Sequence, residues 1–342
     1  MVTISDVAAH AGVGAGTVSR VLNDSPRVSP ATRARVLAAI ELLEYRPNPL
    51  ARGLSRGRCQ TLGVIVPFFT QASAVERLRG VVAALAGSRY DLMLLNVESP
   101  LHRDEHLAAL TRERADGLLV MSLPTPPEHL QRLRGAGISI VLVDVRADGL
   151  PSVMTDDVEG GRIATRHLVA LGHRDIAFIG ENPDNELGFS SSALRLQGYR
   201  EILADAGIPF RKSYVRHGPH QRSVARRLTE QLLAQKVPPT AVFAASDVQA
   251  TGVVEAVRAA GRRVPDDLSV VGYDDIEISG YAGITTVRQA LFDSGRLGAE
   301  LLLSILQGDV PMTDDVRSMP LELVERSTTA PPRPRRTGDG RG

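Results

Sequence analysis

The sequence predicts an α/β protein in which a small all-α head is joined by a hinge to a larger core of parallel β-sheets. Three observations favour this fold class. Short amphipathic helices open the chain, a Pro- and Gly-rich segment follows them, and two sets of apolar strands then alternate with helices. The 342 residues exceed the usual size of one domain, so we expect two or three domains with ample core.

The head is predicted to contain helices over residues 4–11, 14–22 and 29–43. Gly12 and Val13 interrupt the apolar period as a tight turn would, and Ser29-Pro30 is typical of an N-cap followed by the first helical position. Two short helices joined by such a turn form a helix-turn-helix, which places its second helix in the major groove of DNA. The side chains predicted to be buried in the first two helices are Ile4, Val7, Ala8, Ala11, Val18, Val21 and Leu22.

Charge is distributed unevenly along the chain. The formal net charge is +1, but residues 1–60 hold eight arginines and four acidic side chains, so the remainder is slightly acidic. A basic head on an acidic body fits phosphate contact at one end of the protein. Charge alone leaves the question open, because a basic segment is equally compatible with an ordinary soluble surface.

Residues 46–58 form the first predicted boundary. Pro47 and Pro49 end the third helix, and glycines follow them. A helix over residues 50–55 is too short to be stable in isolation, because helix nucleation is costly. At the other end of the chain, residues 331–342 are rich in Pro, Gly and Arg, and we expect them to be disordered.

The core is predicted from near-continuous apolar strands, which indicate parallel sheets covered on both faces. The predicted strands lie at 61–68, 90–97, 116–122 and 138–145, then at 175–180, 213–218, 240–246 and 268–275. Two such sets resemble the periplasmic-binding-protein fold, in which two Rossmann-like lobes surround a cleft. Ligands in paired α/β lobes bind at the carboxyl ends of the strands.

The chain resembles the lactose-repressor/galactose-repressor (LacI/GalR) family of bacterial transcription regulators along nearly its whole length. The runs that carry the resemblance are TISDVAAHAGVGAGTVSRVLND (3–24), VSPATRARVLAAIELLEYRPNPLARGL (28–54), ADGLLVM (115–121), HLVALGHRDIAFIG (167–180), RLQGYREIL (195–203), PTAVFAASD (239–247) and VPDDLSVVGYDD (264–275). The resemblance implies a DNA-binding domain over 1–58, with its hinge helix at 48–56, and a two-lobed, periplasmic-binding-protein-like (type I) core over 61–330. The lobe boundaries it implies are 61–160 with 289–320, and 161–288 with 321–330.

The resemblance also implies a function. We expect a cytoplasmic repressor, a homodimer or a tetramer, that binds a pseudo-palindromic double-stranded operator with a central C-G step. Its affinity for DNA would change when a small effector occupies the cleft. A sugar is the leading class of effector, with a purine or another metabolite as the alternative. A sugar-binding transport receptor is less favoured, because it has no use for residues 1–58.

The second helix presents the residues predicted to read DNA. Arg20 is the strongest candidate, because a guanidinium can bond guanine O6 and N7 bidentately. Ala15 and Gly16 occupy positions that largely set sequence preference in the family, yet they offer only van der Waals contact. Specificity is therefore expected to depend on Arg20, water and DNA shape. The other predicted DNA contacts are Thr3, Thr17, Ser19, Asn23, Thr32, Tyr45 and Arg52.

The resemblance gives Leu54 a separate role. In the family, the matching leucines of two subunits enter the minor groove at the central step, where an apolar wedge can kink DNA. The alternative is an ordinary hydrophobic residue in a linker, and the flanking ARGL run at 51–54 makes the wedge the favoured interpretation.

The predicted effector site combines strand ends with one helical arginine. Arg195 matches a family position that contacts effector, and it ranks first together with Asp274, because a facing arginine and carboxylate can hold sugar hydroxyls. Asp247 is predicted to cap the helix that begins at Val248. The other polar candidates are Thr70, Asp144 and Ser246. The aromatic candidates, for which core packing is an equal alternative, are Phe69, Phe189 and Phe243.

An enzyme is the alternative of a different class. Residues 102–106 (HRDEH) match the H-x-x-E-H pattern of zinc peptidases. The surrounding helix is richly charged and typical of a solvated face, so we expect no catalytic residue, metal or cofactor. A single cysteine, Cys59, excludes an internal disulfide framework. No signal peptide and no membrane span are expected, since a span needs about 18 consecutive apolar residues.

Overall fold

A computed structural model describes residues 2–22, 24–45, 59–113 and 115–333. The chain separates into two compact units, which are residues 1–60 (the head) and 61–342 (the core), and each is described by itself. No helix in the described parts of the chain combines the length and the apolarity needed to cross a bilayer.

The head is built from α1 (Ile4–Ala11), α2 (Ala15–Leu22) and α3 (Pro30–Leu42). After α1, Gly12 takes a left-handed conformation with φ 62°, which glycine adopts at little cost, and the chain turns into α2. Ser29 caps α3 and Pro30 is its first residue, as predicted. The buried side chains of the head are Val7, Ala8, Ala11, Val18, Val21, Val36 and Ala39.

The first lobe of the core contains a six-stranded parallel sheet in the order β11-β5-β4-β3-β1-β2. Its strands are β1 (Thr61–Pro67), β2 (Asp91–Val97), β3 (Gly117–Met121), β4 (Ser139–Val143), β5 (Ser152–Thr155) and β11 (Val316–Met319). Its helices are α4 (Ala72–Leu85), α5 (Pro100–Glu113), α6 (Pro127–Gly135) and α12 (Leu291–Gln307). Buried apolar clusters lie on both faces of this sheet.

The second lobe contains a six-stranded sheet in the order β12-β10-β9-β8-β6-β7, in which the β10–β12 pair is antiparallel and the other pairs are parallel. Its strands are β6 (Ile176–Gly180), β7 (Val215–His217), β8 (Ala241–Ala244), β9 (Ser269–Asp274), β10 (Thr285–Gln289) and β12 (Leu321–Val324). Its helices are α7 (Asp157–Ala170), α8 (Ser191–Asp205), α9 (Arg222–Leu233), α10 (Asp247–Ala259) and α11 (Glu277–Ala282), with a 3-10 turn at Lys212–Tyr214.

The chain passes between the lobes after β5, after β10 and after β11. These passages bring the carboxyl ends of parallel strands from both sheets to a common cleft. The predicted fold class is therefore confirmed: a helix-turn-helix head precedes a core of two parallel-sheet lobes.

Some elements differ from the prediction. The short strands β5, β10, β11 and β12 were not predicted, because they lack a long apolar run and alternate small or polar residues with apolar ones. At the C-terminus the described fold extends to Arg333, which pairs with Asp266 at 2.7 Å, so the predicted disorder from residue 331 is wrong for residues 331–333. Residues 334–342 and the predicted hinge helix at 48–56 lie outside the described residues.

Candidate functional site

The predicted reading face of α2 is accessible. Ala15, Gly16 and Arg20 are exposed, while Thr17 and Ser19 are half-buried between this face and the head core. The opposite face carries Val18 and Val21, which are buried against α1 and α3. The helix therefore presents one long cation, Arg20, beside two very small side chains.

Three of the other predicted DNA contacts already have a local role. Thr3 caps α1: its hydroxyl donates to the Asp6 carboxylate at 2.8 Å, and that carboxylate also accepts from the Thr3 amide at 2.7 Å. The Thr32 hydroxyl accepts from Ser29 at 2.9 Å, and Tyr45 packs against the head core. The remaining predicted contacts, Asn23, Arg52 and Leu54, lie outside the described residues.

The cleft between the two lobes encloses a cavity of about 440 Å³, a size typical of small-molecule sites. Residues at the carboxyl ends of strands from both sheets line it, as expected for paired α/β lobes. From the first lobe these are Phe68, Ser122 and Asp144, and from the second lobe they are Ala245 and Asp274.

Several of these strand-end residues have a positive φ. Phe68, Ser122 and Asp144 have φ of 45°, 49° and 55°, and Asp274 has φ of 118°. Such values are uncommon for non-glycine residues and cluster at functional sites, where the surrounding structure holds them in place. The turn at each strand end directs the chain across the mouth of the cleft.

Arg195 of α8 lies at the centre of the second-lobe wall and is buried. Its Nε donates to Asp157 Oδ1 at 2.8 Å, its Nη1 donates to the carbonyl of Ala245 at 2.6 Å, and its guanidinium lies 3.6 Å from the ring centre of Tyr273. Burial raises the pKa of the Asp157 carboxyl, although the Arg195 charge opposes that shift. Arg195 is therefore a fixed cation whose charge is already paired.

Arg77 of α4 is the corresponding cation of the first-lobe wall, and it is only 6% exposed. It forms an ion pair with Asp144, whose carboxylate also accepts from Thr155 Oγ1 at 3.2 Å. Its Nη2 donates to Gln289 Oε1 at 3.3 Å, and Gln289 Nε2 donates to Asp274 Oδ1 at 2.6 Å. Five side chains from both lobes are thus joined across the base of the cleft.

Of the predicted effector residues, the structure places Asp144, Phe189, Arg195 and Asp274 on the cavity wall. The others are corrected. Phe69 and Thr70 are off the wall, because the turn after β1 presents Phe68 instead. Phe243 is fully buried and packs edge-on against Phe178, with ring centres 5.3 Å apart.

Ser246 and Asp247 both differ from their predicted roles. Ser246 is the N-cap of α10, where its Oγ accepts from the backbone N–H of Gln249 at 3.2 Å. It therefore caps the helix and does not line the cavity. Asp247 is fully buried in the first turn and accepts from Thr286 Oγ1 at 2.6 Å and from the Ile276 amide at 3.1 Å. It ties α10 to the second-lobe sheet.

Arg77, Asp157, Gln249 and Gln289 line the cavity and were not predicted. A signal for two of them was present. Arg77 lies one turn before Gly80 on the side of α4 that packs against α12, and Asp157 begins a helix in which Gly161 approaches α8 closely. A charged residue beside a close helix contact is buried, and a buried charge needs a partner or a ligand.

A loop of the second lobe extends over the cleft. Between β6 and α8, Leu187 is 5% exposed and belongs to the buried cluster of the first lobe that includes Leu123 and Leu130. Two residues later, the ring of Phe189 lies edge-on to Phe68 of the first lobe, with centres 6.4 Å apart. The loop therefore holds the two lobes together at the mouth of the cavity.

Two buried carboxyls interact at the cavity wall, where Asp274 lines the cavity and Asp247 does not. Burial, together with the neighbouring Asp274 charge, raises the pKa of Asp247 to about 7, and burial raises the pKa of Asp274 to about 6. Between about pH 4 and pH 7 the folded protein keeps protons that the unfolded chain has released. The contribution of this pair to the free energy of unfolding therefore falls as pH rises through that window.

Asp247→Asn is accordingly expected to flatten the pH dependence of stability between pH 4 and pH 7, because an amide does not titrate. Urea denaturation of both proteins across this range measures the effect, with the exposed Asp205→Asn as the matched control. An unchanged slope in Asp247→Asn would contradict the assignment of these protons to the buried pair.

The H-x-x-E-H run lies on α5, where His106 Nε2 is 2.9 Å from the carbonyl oxygen of Asn96. In the part of the chain that the structure describes, no group of three or more His, Cys, Asp or Glu side chains is arranged to hold a metal ion.

Comparison with known families gives two matches. The model of bacterial regulatory proteins of the lacI family matches residues 3–48, and that of a periplasmic binding protein-like domain matches residues 165–329. Among curated relatives, catabolite control protein A of Priestia megaterium is 32% identical over 336 residues, which cover 96% of this chain and 99% of the relative. The HTH-type transcriptional repressor PurR of Yersinia pestis (strain Pestoides F) is 34% identical over 339 residues, or 96% and 97% of the two chains.

Solved structures agree with this. A lac repressor dimer bound to operator and the anti-inducer ONPF has a TM-score of 0.81 and 29% identity, over 96% of this chain and 99% of that one. A complex of the transcriptional regulator CelR with cellobiose has a TM-score of 0.71 and 33% identity, over 96% and 100%. The likeness covers the head and both lobes.

Proposed function

This chain belongs to the LacI family of bacterial regulatory proteins, and from that premise we propose that it represses genes by binding a pseudo-palindromic operator, with its DNA affinity set by a small effector in the cleft. The family makes it a DNA-binding transcriptional regulator with an effector-binding core. Its action on chromosomal DNA would place it in the cytoplasm. The exposed reading face of α2 is the observation that supports operator recognition.

We assign sequence reading mainly to Arg20. It is the exposed cation of α2, and the adjacent Ala15 and Gly16 leave room for its side chain to lie along a base edge. The remaining specificity would come from DNA shape and from Leu54 of the hinge, which we propose enters the minor groove.

Arg20→Ala is expected to weaken binding to the operator by about 10- to 100-fold while weakening binding to random DNA much less. A bidentate contact to guanine discriminates between bases, whereas a phosphate contact does not. Fluorescence anisotropy with an operator selected from genomic fragments, and with a scrambled duplex, measures both affinities at the same salt concentration.

Arg27→Ala is the matched control, because it removes the same charge from an exposed position outside α2. This variant is expected to weaken binding to the operator and to the scrambled duplex by similar factors. If Arg20→Ala lowered the affinity for both duplexes by the same factor, Arg20 would be a phosphate contact and not a base contact. Failure of the native protein to select any site from genomic fragments would sink the repressor function itself.

The charge of the cleft favours an uncharged sugar as the effector. Both buried arginines on the described cavity wall, Arg77 and Arg195, already pair with carboxylates, and Glu181 and Asp274 add further acidic groups. With the exposed Arg146 of the wall included, a phosphorylated ligand would still meet the two carboxylates of Glu181 and Asp274 against one arginine. Sugar hydroxyls both donate and accept, which suits carboxylate oxygens beside the amide of Gln249, and the Phe68 and Phe189 rings can cover an apolar sugar face.

A purine is the second candidate, and the likeness to the repressor PurR favours it. Thermal unfolding of the full chain with cellobiose, ribose, glucose 6-phosphate or adenine separates the classes. A neutral sugar that binds is expected to raise Tm by several degrees at about 100 times its Kd. If Tm rose with adenine or glucose 6-phosphate but with neither neutral sugar, the sugar assignment would be overturned.

We propose that the functional unit is at least a homodimer. Exposed apolar side chains lie on two consecutive elements of the first lobe, Val75 and Val82 on α4 and Leu92 and Leu94 on the edge strand β2. Exposed apolar surface is typical of an interface between chains. Two heads would then read the two halves of the operator. A monomer at micromolar concentration in sedimentation would contradict this assembly.

A further inference from the structure

A polar connection joins the effector cleft to α4 of the first lobe. Asp274 lies at the end of β9, and it accepts a hydrogen bond from Gln289, the last residue of the neighbouring strand β10. Gln289 in turn accepts from Arg77, which belongs to α4. The three side chains are each no more than 6% exposed, so the hydrogen bonds between them are shielded from water.

Gln289 occupies a passage between the lobes. Its strand belongs to the second-lobe sheet, and α12 of the first lobe begins two residues later, at Leu291. Helix α12 packs closely against α4, because an added Cβ at Gly295 would overlap the carbonyl oxygen of Arg77. A change in the position of Gln289 is therefore expected to move α12 and, with it, α4, which carries Arg77.

The amide of Gln289 has a definite orientation in this connection. Its oxygen accepts from Arg77 and its nitrogen donates to Asp274, so rotation by 180° would break both hydrogen bonds. Arg77 also pairs with Asp144, and its Nε has no hydrogen-bond partner among the described residues. The guanidinium thus contacts both Asp144 and Gln289 and keeps one donor without a partner in the described part of the chain, so the loss of one contact leaves it another.

We propose that Gln289 and Arg77 are positioning residues that carry effector occupancy at Asp274 to α4 and so change the affinity of the protein for operator. This inference rests on the proposed function, with Asp274 as an effector contact. A ligand hydroxyl on Asp274 competes with the Gln289 amide for the same carboxylate, and the amide moves or releases Arg77 in response. The aromatic contact between Phe68 and Phe189 also joins the lobes, but it is not directional and does not involve Asp274.

Arg77→Lys tests the connection, because lysine keeps the charge beside Asp144 but lacks the planar guanidinium that reaches Gln289. Arg79→Lys is the matched control on the same helix, where the side chain of Arg79 is 67% exposed and pairs with Glu76. The measured quantity is the ratio of operator Kd with and without saturating cellobiose or ribose. The thermal shift given by the same sugar on DNA-free protein is measured in parallel.

The native ratio is expected to lie between about 5- and 150-fold. In Arg77→Lys, measured at a sugar concentration that saturates that variant, we expect the ratio to fall below about twofold, and Arg79→Lys is expected to keep the native ratio. Gln289→Glu is a second variant, which keeps an acceptor for Arg77 but places a carboxylate against Asp274. We expect its ratio of operator Kd values to fall below about twofold as well. The exposed Gln307→Glu is its control.

Each other result overturns the inference. A native ratio in both Arg77→Lys and Gln289→Glu would show that the connection does not carry the response. Loss of the thermal shift together with the ratio would make Arg77 a binding or structural residue. If neither sugar shifts the Tm of the native protein, the sugar assignment fails and the proposed connection fails with it. If instead the native protein selects no operator from genomic fragments, it is the repressor function that fails.

Discussion

Arg195→Met is expected to lower the free energy of unfolding by about 3–5 kcal/mol and to abolish the response to effector. The cause is the partner that the substitution leaves behind. Asp157 is buried beside Arg195, and without the guanidinium its carboxylate would be a buried charge that has lost its ion-pair partner. The contact with the Tyr273 ring and the hydrogen bond to the Ala245 carbonyl are lost as well.

The pH dependence of this variant identifies the mechanism. The Arg195 charge lowers the pKa of Asp157, so its removal lets burial raise that pKa further. A protonated Asp157 needs no cation, so the variant should lose less stability at pH 5 than at pH 7. Urea denaturation of the full chain at the two pH values measures this difference.

Two further proteins separate stability from function. Arg200→Met on the same helix removes an exposed arginine that also lies over an aromatic ring, Phe210, and it is expected to cost under about 1 kcal/mol. Arg195→Met combined with Asp157→Leu removes both charges and is expected to recover most of the stability but not the effector response. A full effector response in that double variant would remove Arg195 and Asp157 from the site.

The head could be predicted from local signals alone. The apolar period, the Ser29 cap and Pro30 specify the helices within a residue or two, because each signal acts over one or two helical turns. The apolar strands of the core were also visible, since strands covered on both faces need uninterrupted apolar runs.

The cavity wall was only partly predictable, because it depends on how each strand ends. After β1 the left-handed turn at Phe68 presents that residue to the cleft and directs Phe69 elsewhere, and a shift of one residue decides which side chain faces the ligand. Phe243 lies within β8 rather than at its end, so it belongs to the core.

The polar connection across the cleft lay beyond local signals. Arg77 and Gln289 are 212 positions apart in the chain, and they meet only because α4 and α12 pack together beside the passage at the end of β10. No periodicity within either segment reports that contact. Asp247 shows the same limit: a position typical of a helix cap holds a carboxylate that instead bonds a neighbouring strand.

Leu187→Ala is expected to have the second large effect, a loss of about 2–5 kcal/mol in the free energy of unfolding, which is typical of a truncated buried leucine. Leu187 comes from a second-lobe loop but is buried in the first lobe, so its side chain stabilises the contact between the lobes as well as the core around it. Leu101→Ala, at a position 66% exposed on α5, is the matched control and should be nearly neutral.

Hydrogen exchange distinguishes loss of lobe contact from general loosening. If Leu187 fastens the loop across the cleft, its truncation should speed exchange first at residues 181–190 and at the cavity wall, before it does so in the sheets. A bound sugar should also dissociate faster, because the loop covers the mouth of the cavity. Uniform acceleration throughout both lobes, with an unchanged sugar dissociation rate, would show that Leu187 only fills the first-lobe core and that the loop does not close the cleft.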